Sequence, residues 1–274
     1  MVWTPRSERL SGHRPTYDGV PEHMHAELRR WMTSVDETHA RWSTGSRLAV
    51  VIALRTGVTF RDYYSPTGET LLVEASAQGG DEKVLDVIEG YLHVAGDELA
   101  KDLRGLFAIA GHTLTVGPDN KTLVEVVEPA MHTLATEALQ PEDRASHELQ
   151  EAWTNAYGRG PDASDAWDHA IKAVEALVGP LVEPNNAAST LGSQMAVIRN
   201  DATSKNPKWS ATALKRHGGE SAHGAVLSLL QKIWVNPDRH GSGTPTSPTL
   251  AQARAVVVLA VSVVQMAREG ELLS

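Results

Sequence analysis

Residues 162–180 read DASDAWDHAIKAVEALVGP, and this stretch decides the fold. Trp167, Ile171, Val174 and Val178 recur at the three-to-four-residue spacing of one helix face, with small and charged residues between them. Asp162 or Ser164 suits the start, since either side chain can accept from the unpaired amides of a first turn. Gly179-Pro180 predicts the end, because proline lacks the amide and crowds the turn before it. An amphipathic helix of this length needs partners, and the sequence offers them on both sides.

Downstream, TLGSQMAVIRND (190–201) reads as a helix capped by Thr190 or Ser189, and SAHGAVLSLLQKIWV (221–235) as another. SPTLAQARAVVVLAVSVVQMAREG (247–270) closes the chain with a Ser-Pro start. Its apolar run, AVVVLAVSVV, covers about half of the roughly 20 residues a bilayer requires, so it reads as a buried helix. Upstream, PAMHTLATEAL (129–139) and DRASHELQEAWTNAYG (143–158) are helical too. Four or five such helices make a bundle, with Trp153, Trp167 and Trp234 expected in its core.

The N-terminal half is different. TPRSERLSGHRPTYDGVP (4–21) is rich in turn formers and reads as an ordered arm. PEHMHAELRRWMTSV (21–35) has Met24, Leu28, Trp31 and Met32 at helical spacing, with Pro21 in the first turn. SRLAVVIALRTGV (46–58) is a helix or a strand by periodicity. DEKVLDVIEGYLHVAGDEL (81–99) returns to the helical period through Val84, Val87, Ile88 and Tyr91. HTLTVGPDNKTLVEVV (112–127) then alternates around Gly-Pro-Asp-Asn, a hairpin signal. The fold class expected is mainly α: a small α+β region with a β-hairpin over residues 1–140, then a helical bundle over 141–274.

Composition narrows the chemistry. The chain of 274 residues has no cysteine, which rules out disulfides, thiolate zinc sites and a thiol nucleophile, and suits the reducing cytoplasm. The opening residues hold no apolar signal core, so neither export nor membrane insertion is expected. Net charge is −9, which opposes a broad nucleic-acid surface. The excess lies in residues 1–150, with 14 Lys and Arg against 23 Asp and Glu; residues 151–274 carry 11 of each and can hold a local basic site.

Phosphate-cradling glycine motifs are missing, and GESAHG lacks the second glycine that a nucleophile elbow at Ser221 needs. The twelve histidines read as scattered and solvent-facing: His23 and His25, two apart on a helix, point to different faces, so no metal site is expected. Two constellations remain. One is Asp238-Arg239-His240-Gly241; the other is RHGGESAHG (216–224), with Arg216 and His217 followed by His223. An always-charged guanidinium beside an imidazole suits metal-free cleavage of RNA. Histidine takes the ribose 2′-OH proton and arginine holds the phosphate. KNPKW (205–209) adds Lys208 and Trp209, a cation beside an aromatic, as substrate contacts together with Asp238.

The order of LQEAWTNAYGRGPDASDAWDHAIKAVEALVGPLVEPNNAASTLGS (149–193), a spacer containing Trp, LLQKIWVNPDRHG (229–241) and a final apolar helix resembles the C-terminal domain of abortive-infection proteins. Those belong to the HEPN superfamily of helical bundles. The likeness covers about residues 146–270. DGVPEH and HTLTVGPDN are similar to the region ahead of that domain in actinobacterial and actinobacteriophage proteins.

The resemblance implies a HEPN-like, dimeric module acting as an RNase toxin or antiphage defence effector without cofactor. The superfamily motif is an Arg, a polar residue, a short spacer and a His. Arg239 and His240 match it without the spacer; Arg216, His217 and His223 match its spacing but lie ahead of the helix. The leading expectation is a metal-independent endoribonuclease, with RNA as substrate. The alternative is a non-catalytic protein that binds a host or phage partner.

Overall fold

The computed structural model describes residues 16–39, 47–61, 66–209, 222–236 and 247–273. They are mainly helical, with one small antiparallel hairpin, as the sequence predicts. Contacts divide the chain into two compact units, one up to Val126 and one from Val127.

In the first unit, α1 (Glu22–His39), α2 (Arg47–Thr56), α3 (Gly68–Ala95) and α4 (Asp97–Ala110) precede β1 (Leu114–Val116) and β2 (Leu123–Glu125). The stripe Met24, Leu28, Trp31, Met32 and Val35 buries α1 against α3, as its spacing predicts. The ambiguous stretch after residue 46 is the helix α2, with Ala49, Ile52 and Ala53 buried. α3 starts before the predicted segment, capped by Thr67 and its capping-box partner Thr70. It kinks at Gly80, whose φ of 61° is a left-handed value that glycine adopts without strain.

The hairpin pairs Leu114 with Glu125, Thr115 with Val124 and Val116 with Leu123. Its turn is fastened from outside: Arg104 on α4 donates to Asn120 Oδ1 at 2.7 Å, and Glu89 on α3 accepts from the Leu123 amide at 2.8 Å.

The solvent-facing reading fails at His112, which is 5% exposed and stacks on Phe107 with centroids 4.6 Å apart. Leu114 N–H donates to its Nδ1 at 2.9 Å, so the neutral ring carries its proton on Nε2. Burial pushes the His112 pKa down from its ordinary 6.5, against the opposing pull of Asp18, the Gly19 backbone and Asp81. The folded state therefore prefers the neutral ring, while the unfolded chain takes up a proton as pH falls below the ordinary value. Stability is present above that value and is lost on acidification. Thermal melts should fall between about pH 7.5 and about pH 5.5, and His112→Gln should flatten that fall. An equally steep fall in the variant would assign the acid sensitivity elsewhere.

In the second unit, α5 (Pro129–Leu139), α6 (Arg144–Tyr157), α7 (Ala163–Val182), α8 (Leu191–Ala202), α9 (Ala222–Trp234) and α10 (Leu250–Arg268) are the helices among the described residues. Helix α7 is the centre, packed on α6, α8, α9 and α10. Asp162 caps it through the amides of Ser164 and Asp165, and the predicted stripe is buried. Pro180 does not stop it. The missing amide falls in the last turn, where Glu183 N–H still reaches Gly179 O at 2.8 Å, so one hydrogen bond is lost and the helix runs on to Val182.

Helix α5, which the division at residue 140 assigns to the N-terminal region, packs on α10. Trp153 and Trp167 are buried as expected, and Trp167 Nε1–H donates to Ile233 O at 2.6 Å. Trp234 is half-buried, with its ring over Gly192. Helix α10 is long and apolar enough to span a bilayer, and here it buries Ala253, Val256, Val257, Ala260, Val261, Val263 and Val264. At its end Arg268 donates to both Asp143 oxygens at 2.8 and 2.9 Å, to Ser146 Oγ at 2.9 Å and to the Ala138 carbonyl. That clasp joins α10 to α5 and to the start of α6.

Candidate functional site

Helices α8 and α9 place the site. Leu191, Met195 and Ile198 of α8 and Val226, Leu230 and Ile233 of α9 are buried, and the two helices pack on one another. Gly192, at the start of α8, sits against Trp234 at the end of α9. The pair is therefore antiparallel, and the end of α8 meets the beginning of α9. Asp201, in the last turn of α8, and His223, in the first turn of α9, come together there.

His223 Nε2 lies 3.2 Å from Asp201 Oδ2, and both side chains are 11% exposed. The chain after α8 wraps the same carboxylate. Lys208 N–H donates to Oδ1 at 2.8 Å, and Trp209 N–H donates to Oδ2 at 3.2 Å. Burial alone would raise the Asp201 pKa, but the amides of Lys208 and Trp209 and the imidazole of His223 together hold it below the usual carboxylate range. Above that range Asp201 is an anion. An anion accepts from His223 Nε2–H, which leaves Nδ1 as the basic ring atom. Lys208 Nζ stands 4.8 Å from the centroid of the Trp209 ring, so a cation and an aromatic surface lie on the chain that wraps Asp201.

Of the residues singled out from sequence, His223, Lys208 and Trp209 gather around this one carboxylate. Asp238, Arg239 and His240, and Arg216 with His217, lie outside the described residues. His223 is buried, which corrects the expectation of a solvent-facing histidine. Asp201 carries no signal in the sequence: it precedes His223 by 22 positions, and as one acidic residue in the last turn of a helix it has no distinguishing pattern.

A second imidazole–carboxylate pair ties α7 to α6, His169 Nδ1 to Glu148 Oε2 at 2.8 Å. Neighbouring Lys172 pairs with Asp168 at 2.8 Å. The imidazole–carboxylate pair links two packed helices, so we read it as a helix-to-helix tie. No family model matches the chain, nor does any curated protein or solved structure.

Proposed function

We propose that the chain is a metal-independent endoribonuclease of the abortive-infection type, with His223 as its acid/base group. The observation that supports this reading is the Asp201–His223 contact, with Lys208 and Trp209 donating to the same carboxylate. Asp201 is the positioning residue: it holds the imidazole in one tautomer and balances the charge that forms on protonation. Lys208 contacts phosphate, and Trp209 stacks on a base. Arg216 stands six positions ahead of the Ala222-His223 pair and takes the phosphate-binding role that the resemblance implies.

The reaction balances without a cofactor. His223 Nδ1 removes the 2′-OH proton, the 2′ oxygen bonds to phosphorus, and the P–O5′ bond breaks. The departing 5′ oxygen takes a proton from solvent, leaving a 2′,3′-cyclic phosphate. In this reading the chain works in the cytoplasm as a homodimer, in phage defence or growth arrest.

The test uses purified full-length chain and a fluorescent single-stranded RNA in the presence of a chelator. Cleavage should persist in chelator, fall at least about a hundredfold in His223→Gln, and fall about tenfold in Asp201→Asn. Arg239→Ala and His240→Ala serve as the comparison pair, and cleavage that only they abolish would move the site to residues 238–241. RNA left intact by the wild-type chain would sink the nuclease reading.

The non-catalytic alternative is favoured by a separate observation. Val50, Val51 and Leu54 on α2 are 37%, 46% and 79% exposed, an apolar stretch suited to a protein partner from host or phage.

A further inference from the structure

The first unit holds a cleft of about 550 Å³ between α2, α3 and the hairpin turn. Cavities of this size accept small organic ligands. Leu48, Val51 and Ile52 of α2 and Val94 of α3 give it aliphatic walls. Gly90 lets the two helices approach, since a Cβ there would stand 3.0 Å from Ile52 Cγ2.

The polar groups are unevenly committed. Glu89 accepts from the Leu123 amide, Thr56 Oγ1 donates to Ile52 O, and Thr122 Oγ1 donates to Asp119, while Asp86 also has a partner. Arg55, from α2, and Lys121, from the hairpin turn, form no side-chain hydrogen bond or ion pair among the described residues. His93 on α3 is likewise unengaged and exposed.

We propose that this cleft binds an aliphatic anion: an apolar chain or ring bearing one carboxylate or phosphate. The anionic head is selected because, among the described residues, the carboxylates lining the cleft have partners while its cations Arg55 and Lys121 form no side-chain hydrogen bond or ion pair. Arg55 meets the head through its planar fork and Lys121 as a point charge. The aliphatic body is selected because, among the described residues, no Phe, Tyr or Trp lines the cleft, so these walls suit methylene groups rather than ring stacking. This site is independent of the nuclease reading.

Calorimetric titration of the full-length chain with decanoate, decyl phosphate and decanol tests it. The expected result is saturable one-to-one binding of at least one of the two anions. Decanol should bind at least about tenfold more weakly, and Arg55→Glu and Lys121→Glu should each weaken anion binding about tenfold or more. Both residues are exposed, so the variants should melt with the wild type, and a matching melt shows that lost binding is not unfolding. Comparing the two anions separates a carboxylate from a phosphate head. No saturable binding of either anion, binding of decanol as tight as of the anions, or binding untouched by both charge reversals would each overturn the proposal.

Discussion

Trp153→Ala is expected to lower the stability of the chain by about 3–5 kcal/mol, the range for deleting a fully buried aromatic side chain. Trp153 is 1% exposed and is among the largest fully buried side chains. It lies on α6 one turn before Tyr157, and their rings are 4.6 Å apart. Cutting it to Ala removes that contact and opens a void beside Leu149 and Ala152, buried on the same helix. Helices fixed by close packing relax into such a void only in part.

The conservative variant separates volume from polarity. Trp153 Nε1–H is buried without a hydrogen-bond partner among the described residues, a defect that costs about 1–3 kcal/mol in its own right. Trp153→Phe gives up part of the ring but removes that donor, so it should cost far less than Trp153→Ala. Denaturant unfolding of both variants checks this, with the midpoint read at constant slope. A loss below about 1 kcal/mol for Trp153→Ala, or equal losses for the two variants, would contradict the packing described.

The second large effect belongs to the first unit. Asp36→Ala should cost about 2–4 kcal/mol, because one half-buried carboxylate serves two donors at once. Its Oδ2 accepts from Gly68 N–H at 2.8 Å, an amide in the first turn of α3, and its Oδ1 accepts from Tyr91 Oη–H at 3.0 Å. The negative charge also sits at the helix end where backbone dipoles favour it. Tyr91 is fully buried and Gly68 is buried, so neither donor finds water readily once Asp36 is gone.

Gly68 is part of the same device. A Cβ there would stand 2.8 Å from Met32 Cβ and 2.9 Å from the Tyr91 hydroxyl, so any larger residue would force α1 and α3 apart. Asp36→Asn keeps both contacts: its carbonyl oxygen accepts from Gly68, and its amide donates to the tyrosine oxygen. That variant should cost about 1 kcal/mol, the loss of charge assistance alone. Thermal and denaturant melts of Asp36→Ala, Asp36→Asn and Tyr91→Phe distinguish the cases. If Asn proves as costly as Ala, the hydrogen bonds are not what Asp36 supplies.

Much of this architecture was readable in order along the chain. The stripe through Trp167, Ile171, Val174 and Val178 is buried, Asp162 and Thr190 cap the helices they precede, and Gly117-Pro118-Asp119-Asn120 turns a hairpin. Helical period, cap chemistry and turn preference are local properties, set by neighbours within a few residues, so they can be read along the chain.

Pro180 is tolerated for a local reason, because it falls where a helix is about to run out of hydrogen bonds. Two matters depend on tertiary packing. His112 and His223 are buried because the packing of other elements covers them, while a lone histidine in sequence looks the same covered or bare. Asp201 meets His223 because α8 and α9 pack antiparallel, and no short-range pattern links residues 22 positions apart. Periodicity tells which face of a helix is apolar; which distant side chain completes a polar pair depends on how those faces are packed.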